Sequence, residues 1–241
     1  MLTPTLSGAQ AEHLARDDHS TLFAPLEMSP HTRPALSVVI EAGGESRRMG
    51  QDKALMPFMG RPLIQRILER VTPVADEVIV VANQPSRYAF LACRVVADVR
   101  PGYGALGGLL TALSAAQHPL VAVVACDMPF VSAPLLAFLC ELLVRDLADA
   151  AVPETDRGLE PFHAVYRRQA CLPAVAAALD AGRLRAVGWL GAVRLRKVSR
   201  AESAPYDPRG AAFRNLNTPA EFIQAEADAC AWERAEAGRC A

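Results

Sequence analysis

Short, continuous apolar segments alternate with helical segments from residue 36 onward, and this alternation constrains the fold more than any other feature. The apolar segments are LSVVI (36–40), EVIVVAN (77–83), RVVADV (94–99) and LVAVVAC (120–126). PLIQRILERV (62–71) and GGLLTALSAAQ (107–117) carry apolar residues at helical spacing. Strands that are apolar throughout need cover on both faces, which favours an α/β fold with a single doubly wound, mostly parallel sheet and helices on both faces. Functional groups are then expected at the carboxyl ends of the strands.

The second half of the chain is expected to extend the same sheet. Helices are predicted in APLLAFLCELLVRDLA (133–148) and CLPAVAAALDA (171–181), and strands in DAAVPE (149–154), PFHAVYRR (161–168) and VRLRKV (193–198). A last helix is predicted after Thr218, which would be its N-cap. Pro219 then stands in the first turn, and Glu221 follows the cap by three residues, as in a capping box.

Three regions are predicted along the chain. Residues 1–34 contain four prolines and no sustained period of either kind, which indicates a disordered N-terminal arm. Residues 35–225 form the folded domain, and residues 226–241 are expected to form a C-terminal tail.

Charge and hydropathy exclude several classes of protein. The net charge of −1, from 25 Lys+Arg and 26 Asp+Glu, provides no overall basic field for nucleic acid or an anionic membrane. No apolar run approaches the roughly 18–20 residues that span a bilayer. The first residues also lack the apolar stretch of a secretory signal, so we expect a cytoplasmic protein.

Cysteine and histidine positions give no indication of a zinc site. The six cysteines include no CxxC pair, and the five histidines are not grouped with them at zinc spacing. We therefore expect reduced, structural cysteines, and oxygen ligands for any metal that binds.

A glycine-rich, cationic loop follows the first apolar segment and has the sequence EAGGESRRMGQDK, from Glu41 to Lys53. Its glycines would allow backbone N–H groups to approach anionic oxygens, and Arg48 and Lys53 could neutralise a triphosphate. The loop is not a Walker A motif, because two residues separate Gly50 from Lys53. Only two lysines stand against 23 arginines in the chain, which suggests that Lys53 serves a role for which arginine is unsuited. The alternative is a solvated loop with incidental charges.

Six motifs in order resemble those of the MobA-like nucleotidyltransferases, and most closely the molybdenum cofactor guanylyltransferases. They are the AGG, SRRMG and DK elements of residues 42–53, VVAN ending at Asn83, ADVRPGYGALGGL with Asp98, CDMPF with Asp127, EPFHAVY with His163, and RNLNTP with Asn217. The resemblance covers about residues 35–225 and implies a Rossmann-like nucleotidyltransferase fold. It also implies the Mg²⁺-dependent transfer of GMP from GTP to the phosphate of molybdopterin, with release of pyrophosphate. Molybdoenzymes or their chaperones would receive the product.

Asp127 is the predicted metal ligand. It follows an apolar strand at the edge where the triphosphate loop is expected, and Mg²⁺ prefers one or two carboxylates together with phosphates and water. Asp127 could instead cap the turn at Pro129 or the helix after Ser132. With Lys53 and Arg48, it makes up the predicted catalytic set.

The nucleotide is expected to contact residues from both glycine loops. Asp98 could accept hydrogen bonds from guanine, which offers adjacent N1–H and N2–H₂ donors, and Asn83 could contact the nucleotide or cap its own turn. Glu41 departs from the family, which most often has an uncharged side chain there, and would help to recognise guanine if it faces the base. The predicted nucleotide-binding residues are Glu41, Ala42, Gly43, Gly44, Lys53, Asn83, Asp98, Gly104 and Asp127.

The resemblance places Asn215 and Asn217 near the pterin acceptor, although propensity alone makes them turn residues. His163 is either a buried core histidine or a group near the acceptor, and it is not part of the predicted catalytic set.

Three alternatives to the guanylyltransferase remain open from the sequence. A related transferase could use CTP or another acceptor, and a binding module could hold a nucleotide without turning it over. GYGALG, from Gly102 to Gly107, also fits the GxGxxG pattern of NAD-binding Rossmann proteins, with Asp127 twenty residues later.

Overall fold

The computed structural model describes residues 34–43 and 52–237. All but the last residue of the predicted N-terminal arm lie outside this range, as do Gly44, Arg48 and Cys240. Their predicted roles are therefore carried forward as predictions.

A single eight-stranded sheet organises the described residues, and a two-stranded hairpin accompanies it. The strands are β1 Leu36–Glu41, β2 Pro57–Phe58, β3 Arg61–Pro62, β4 Glu77–Val81, β5 Arg94–Val96, β6 Leu120–Ala125, β7 Ala150–Thr155, β8 Gly158–Leu159, β9 His163–Arg167 and β10 Leu195–Val198. The order in the main sheet is β10-β7-β9-β6-β1-β4-β5, with β8 paired to β7, and β2 and β3 form the hairpin. Strand β9 is antiparallel to β6 and β7, and β8 is antiparallel to β7, whereas the other main-sheet pairs are parallel. The predicted mostly parallel α/β sheet is confirmed.

Helices cover both faces of the sheet, as predicted. They are α1 Leu63–Val71, α2 Gly104–Ala115, α3 Ala133–Arg145, α4 Arg168–Asp180, α5 Arg200–Ser203 and α6 Pro219–Ala237. Helices α1, α3 and α6 pack on one face, and α2 and α4 pack on the other, so the core forms two layers. Within the described ranges, no helix is long and apolar enough to cross a membrane.

Helix α6 begins with the predicted capping box. The Glu221 N–H donates to Thr218 Oγ1 at 3.2 Å, and the Thr218 N–H donates to Glu221 Oε2 at 2.9 Å. The helix then continues through Ala237, past residue 225, where the sequence suggests the start of a tail. Ala225 and Ala229 are buried in the core, so apolar packing extends beyond that point.

Strand β1 lies at the position where the connections change direction. Strands β4 and β5 follow on one side of β1, and the chain then returns to its other side with β6. The Cys126 N–H donates to the Glu41 carbonyl at 2.9 Å, which joins the carboxyl ends of β1 and β6. Such a switch point forms the crevice in which α/β proteins bind ligands.

Candidate active site

Lys53 contacts residues from two distant parts of the chain. It begins a short 3₁₀ helix, Lys53–Leu55, whose N-cap Asp52 accepts a hydrogen bond from the Ala54 N–H at 3.2 Å. Lys53 Nζ donates to Asn217 Oδ1 at 2.9 Å and lies 3.7 Å from Asp127 Oδ2. The structure thus brings together a residue of the first loop, the end of β6 and the RNLN segment.

Asp127 presents a carboxylate at the carboxyl edge of the sheet. Burial raises its pKa, and the nearby Lys53 ammonium partly opposes that shift. Its carbonyl accepts a hydrogen bond from the Leu216 N–H at 2.9 Å, which ties the RNLN segment to β6. The N-cap of α3 is Ser132, so Asp127 does not cap that helix.

The chemistry around Asp127 fits Mg²⁺ better than a metal held wholly by protein. Over residues 34–43 and 52–237, no cluster of three or more His, Cys, Asp or Glu side chains could hold a metal ion. Mg²⁺ commonly uses one or two carboxylates and completes its shell with substrate phosphates and water. A single carboxylate beside a lysine satisfies that requirement.

Tyr88 and Arg87 hold the residue before Lys53, a contact that sequence reasoning missed. Asp52 Oδ2 accepts hydrogen bonds from the Tyr88 hydroxyl at 2.8 Å and from Arg87 Nη1 at 3.2 Å. Tyr88 is buried, and burial with the Asp52 hydrogen bond raises the pKa of its hydroxyl. These contacts fix the turn that presents Lys53. They join residues 35 and 36 positions apart, and no local pattern indicates them.

Asn83 connects the end of β4 to the first loop. Its Nδ2 donates to the Gly43 carbonyl at 2.8 Å, so the side chain does not cap its own turn. The neighbouring Ala42 N–H donates to the Val81 carbonyl at 2.8 Å. The predicted residues Ala42, Gly43 and Asn83 therefore lie together at the carboxyl edge.

The second glycine loop is organised by Asp98. Its Oδ1 accepts hydrogen bonds from the Thr111 hydroxyl at 2.6 Å and from the Arg100 N–H at 3.0 Å. Gly104 begins α2 with a φ of +60°, which favours glycine. A Cβ at Gly107 would lie 3.0 Å from the Arg100 carbonyl, so the loop is closely packed.

Glu41, the last residue of β1, carries a buried carboxyl. Its Oε1 has no hydrogen-bond partner among the described residues. Burial, together with the charge of Asp98, raises the pKa of this carboxyl to about 8. The carboxyl of Glu41, the residue that departs from the family pattern, is therefore buried in the protein and not exposed to solvent.

His163 is a core histidine. It is fully buried, its Nε2 accepts a hydrogen bond from the Ser132 N–H at 3.1 Å, and its ring packs edge-on against Phe213. Burial lowers its pKa to about 4, so the ring is neutral near pH 7. His163 Nδ1 and Asn215 Oδ1 are both buried and lack a hydrogen-bond partner in the described ranges.

The sheet order argues against the NAD-binding alternative. GYGALG follows β5, an edge strand, and β5 is separated by β4 and β1 from β6, the strand that precedes Asp127. In dinucleotide-binding folds the glycine motif instead follows the first strand, at the centre of the sheet. Here the first strand carries the AGG loop.

The comparison with known families decides the identification. The profile described as "MobA-like NTP transferase domain" matches residues 38–194. The chain belongs to this family. It is therefore a nucleotidyltransferase, as the resemblance of its motifs implies.

Individual relatives agree with that family. The chain is 34% identical over 194 residues to the molybdenum cofactor guanylyltransferase of Desulfosudis oleivorans, covering 80% of this chain and 95% of the relative. The crystal structure of molybdopterin-guanine dinucleotide biosynthesis protein A from Archaeoglobus fulgidus gives a TM-score of 0.71 at 25% identity, covering 81% of this chain and 98% of that one. The 2-C-methyl-D-erythritol 4-phosphate cytidylyltransferase of Thermus thermophilus shares the fold, with a TM-score of 0.59 at 24% identity over 80% of this chain and 98% of the other.

Proposed function

We propose that this protein transfers GMP from GTP to the terminal phosphate of molybdopterin, giving the guanine dinucleotide form of the cofactor and pyrophosphate. The observation that carries the proposal is the contact of Lys53 with both Asp127 and Asn217. It joins the expected triphosphate loop, the expected metal ligand and the expected acceptor segment. The relative from Desulfosudis oleivorans, which bears the name of this activity, supports the choice of GTP and molybdopterin.

The reaction exchanges one phosphorus–oxygen bond for another. An oxygen of the molybdopterin phosphate bonds to the α-phosphorus of GTP, while the bond from that phosphorus to the α,β-bridging oxygen breaks. The electron pair leaves with pyrophosphate. A phosphate acceptor is already ionised at neutral pH, so no general base is needed.

The residues of the chain act by positioning and by electrostatic stabilisation. Lys53, with Arg48 and backbone N–H groups of the first loop, would stabilise the charge that develops on the leaving pyrophosphate. Asp127 would hold Mg²⁺, which neutralises phosphate charge when bound. Asn217 holds the Lys53 ammonium beside Asp127, and Asn215 and Asn217 would contact the pterin.

The same proposal implies the substrates, the binding partners and the cellular location of the protein. GTP and molybdopterin are its substrates, nucleic acid and membrane take no part, and molybdoenzymes or their chaperones accept the product. The cytoplasm, where GTP is available, is the proposed location.

The first test is equilibrium binding of GTP, CTP, ATP and NAD, with and without Mg²⁺, followed by pyrophosphate release in the presence of molybdopterin. We expect the tightest binding for GTP and pyrophosphate release that requires molybdopterin and Mg²⁺. Preference for CTP would replace guanylyl by cytidylyl transfer, and binding of NAD alone would contradict the proposal.

Lys53 and Asp127 are the two central side chains of the candidate site. Lys53→Ala or Asp127→Ala should lower kcat/KM for pyrophosphate release by about 100-fold or more, because Lys53 acts directly on the phosphates and Asp127 would hold the Mg²⁺ that also neutralises them. Lys197→Ala is the matched control, since the Lys197 ammonium is ion-paired with Glu154 at 3.0 Å. Near-normal turnover by folded Lys53→Ala would remove Lys53 from the mechanism.

A further inference from the structure

Glu41 reaches from the end of β1 to the surface of α2, where Gly108 makes room for it. A Cβ built at Gly108 would lie 2.3 Å from Glu41 Oε2 and 2.8 Å from Cδ. No side chain can occupy that position while Glu41 keeps its place. The recess therefore fits the Glu41 carboxyl and depends on Gly108.

The Glu41 carboxyl has an unused hydrogen-bonding position. Its Oε1 is buried and has no partner within the described residues. Buried polar atoms in folded proteins nearly always have hydrogen-bond partners, and an exception calls for an explanation such as a bound ligand, an ordered water or another function. The position of Glu41 at the switch point favours a ligand.

Asp98 supplies a second acceptor beside the first. Its Oδ1 already accepts from Thr111 and Arg100, whereas its Oδ2 accepts no hydrogen bond from the described residues and lies 3.6 Å from the Cβ position of Gly107. The Glu41 carboxyl lies against Gly108, the next residue of α2, so the two carboxyls are close in space, and the Asp98 charge raises the pKa of Glu41. No basic side chain is among the groups that shift Glu41.

A ligand that suits this acidic pair must bring hydrogen-bond donors. Among the common bases, guanine alone places two donor groups, N1–H and N2–H₂, next to each other on its pairing edge. A divalent cation could also use two carboxylates and complete its shell with water, so the metal-binding test below distinguishes it from a base.

We propose that Glu41 is a specificity residue, whose carboxyl, held in place by Gly108 and acting with Asp98, recognises the N1–H and 2-amino donors of the guanine base. This inference rests on the proposed use of GTP and assigns its selectivity to a side chain. A site built to pair with a donor rejects an analogue that lacks it, because its buried acceptor is then left unpaired.

The test compares GTP with ITP, which lacks only the 2-amino group. Wild-type protein should bind GTP about tenfold or more tightly than ITP, and Glu41→Leu should reduce that ratio to about threefold or less. Glu154→Gln, in an exposed ion pair with Lys197, is the matched control and should keep the wild-type ratio. An unchanged ratio in folded Glu41→Leu would overturn the inference.

A double-mutant cycle tests the role of Gly108. Gly108→Ala should displace the Glu41 carboxyl and weaken GTP binding about tenfold, whereas the same change in a Glu41→Ala background should alter the Kd less than about twofold. Equal losses in both backgrounds would show that Gly108 acts without Glu41 and would contradict the inference.

The outcomes separate this inference from the proposed function. If wild-type protein prefers GTP and Glu41→Leu preserves the GTP/ITP ratio, only the role of Glu41 fails. If wild-type protein prefers CTP, guanylyl transfer fails as well. Binding of Mn²⁺ to nucleotide-free protein that is lost in Glu41→Leu would assign the pair to a cation and overturn the recognition of guanine.

Discussion

At the scale of single residues, the choice of lysine at position 53 agrees with its surroundings. Elsewhere the chain relies on arginine, with 23 arginines and one lysine, Lys197. Arginine suits fixed, planar, bidentate contacts, whereas an ammonium is a compact charge with three rotatable donors. Lys53 Nζ donates to Asn217 and lies close to Asp127, so a small rotation could direct a donor to a phosphate without disturbing either neighbour.

Tyr88 is expected to act on Lys53 through Asp52. Tyr88→Phe removes the 2.8 Å hydrogen bond to Asp52 Oδ2 and should lower the free energy of unfolding by about 1 kcal/mol. It should also lower kcat for pyrophosphate release several-fold with little effect on GTP binding, because the turn that presents Lys53 loses a constraint. Denaturant unfolding and steady-state kinetics measure the two effects.

Tyr166→Phe is the control for that change. The Tyr166 hydroxyl also makes a buried hydrogen bond, to the Pro161 carbonyl at 2.6 Å, but it does not contact Asp52. Both variants should lose similar stability, and only Tyr88→Phe should lose turnover. If the two variants lose turnover equally, Tyr88 has only a structural role.

At the scale of elements, the cap of α6 holds the segment that contacts Lys53. Glu221 Oε2 accepts from the N–H groups of both Thr218 and Asn217, at 2.9 and 2.7 Å, so the capping box includes a predicted acceptor-binding residue. Thr218→Ala should reduce the free energy of unfolding by about 1 kcal/mol. It should also raise the KM for molybdopterin, because Asn217 is less firmly placed.

The capping box of α5 provides a matched comparison. The Ser199 side chain accepts from the Glu202 N–H, and Glu202 in turn accepts from the Ser199 N–H. Ser199→Ala should cost similar stability while leaving the KM for molybdopterin unchanged. A normal KM in Thr218→Ala would separate the cap from acceptor binding.

Elements were predictable from the sequence wherever a local period specifies them. Helix α1 buries Leu63, Ile64, Ile67 and Val71 on one face. The continuous apolar runs in the first half of the chain form the parallel strands β1, β4, β5 and β6. Periodicity does not specify strand direction or distant pairing, so the antiparallel β9 and the Asp52–Tyr88 contact could not be inferred. The β2–β3 hairpin has two residues in each strand, too few for an alternating pattern to be visible.

At the scale of the whole molecule, the site depends on contacts between the two halves of the chain. Asn217 reaches Lys53 across 164 positions, and Leu216 donates to the Asp127 carbonyl. The sequence could predict which motifs carry polar groups, because each follows a strand or precedes a helix. These motifs lie together at the carboxyl edge of the sheet because the strand order places β1 and β6 side by side.

The stability of the whole fold should depend on pH through His163. The pKa of His163 in the folded protein is about 4, below the usual 6.5. The stability that the neutral ring contributes is therefore fully present above pH 6.5 and is lost as the pH falls from 6.5 through 4. His163→Gln should destabilise the protein at pH 7.5, because the contact with Phe213 is lost. Between pH 7.5 and pH 4, the free energy of unfolding of the wild type should fall by about 3 kcal/mol more than that of the variant. Other carboxyls, including Glu41, titrate in both proteins and cancel in the difference. Denaturant unfolding at both pH values measures it, and parallel losses would mean that His163 does not resist protonation in the fold.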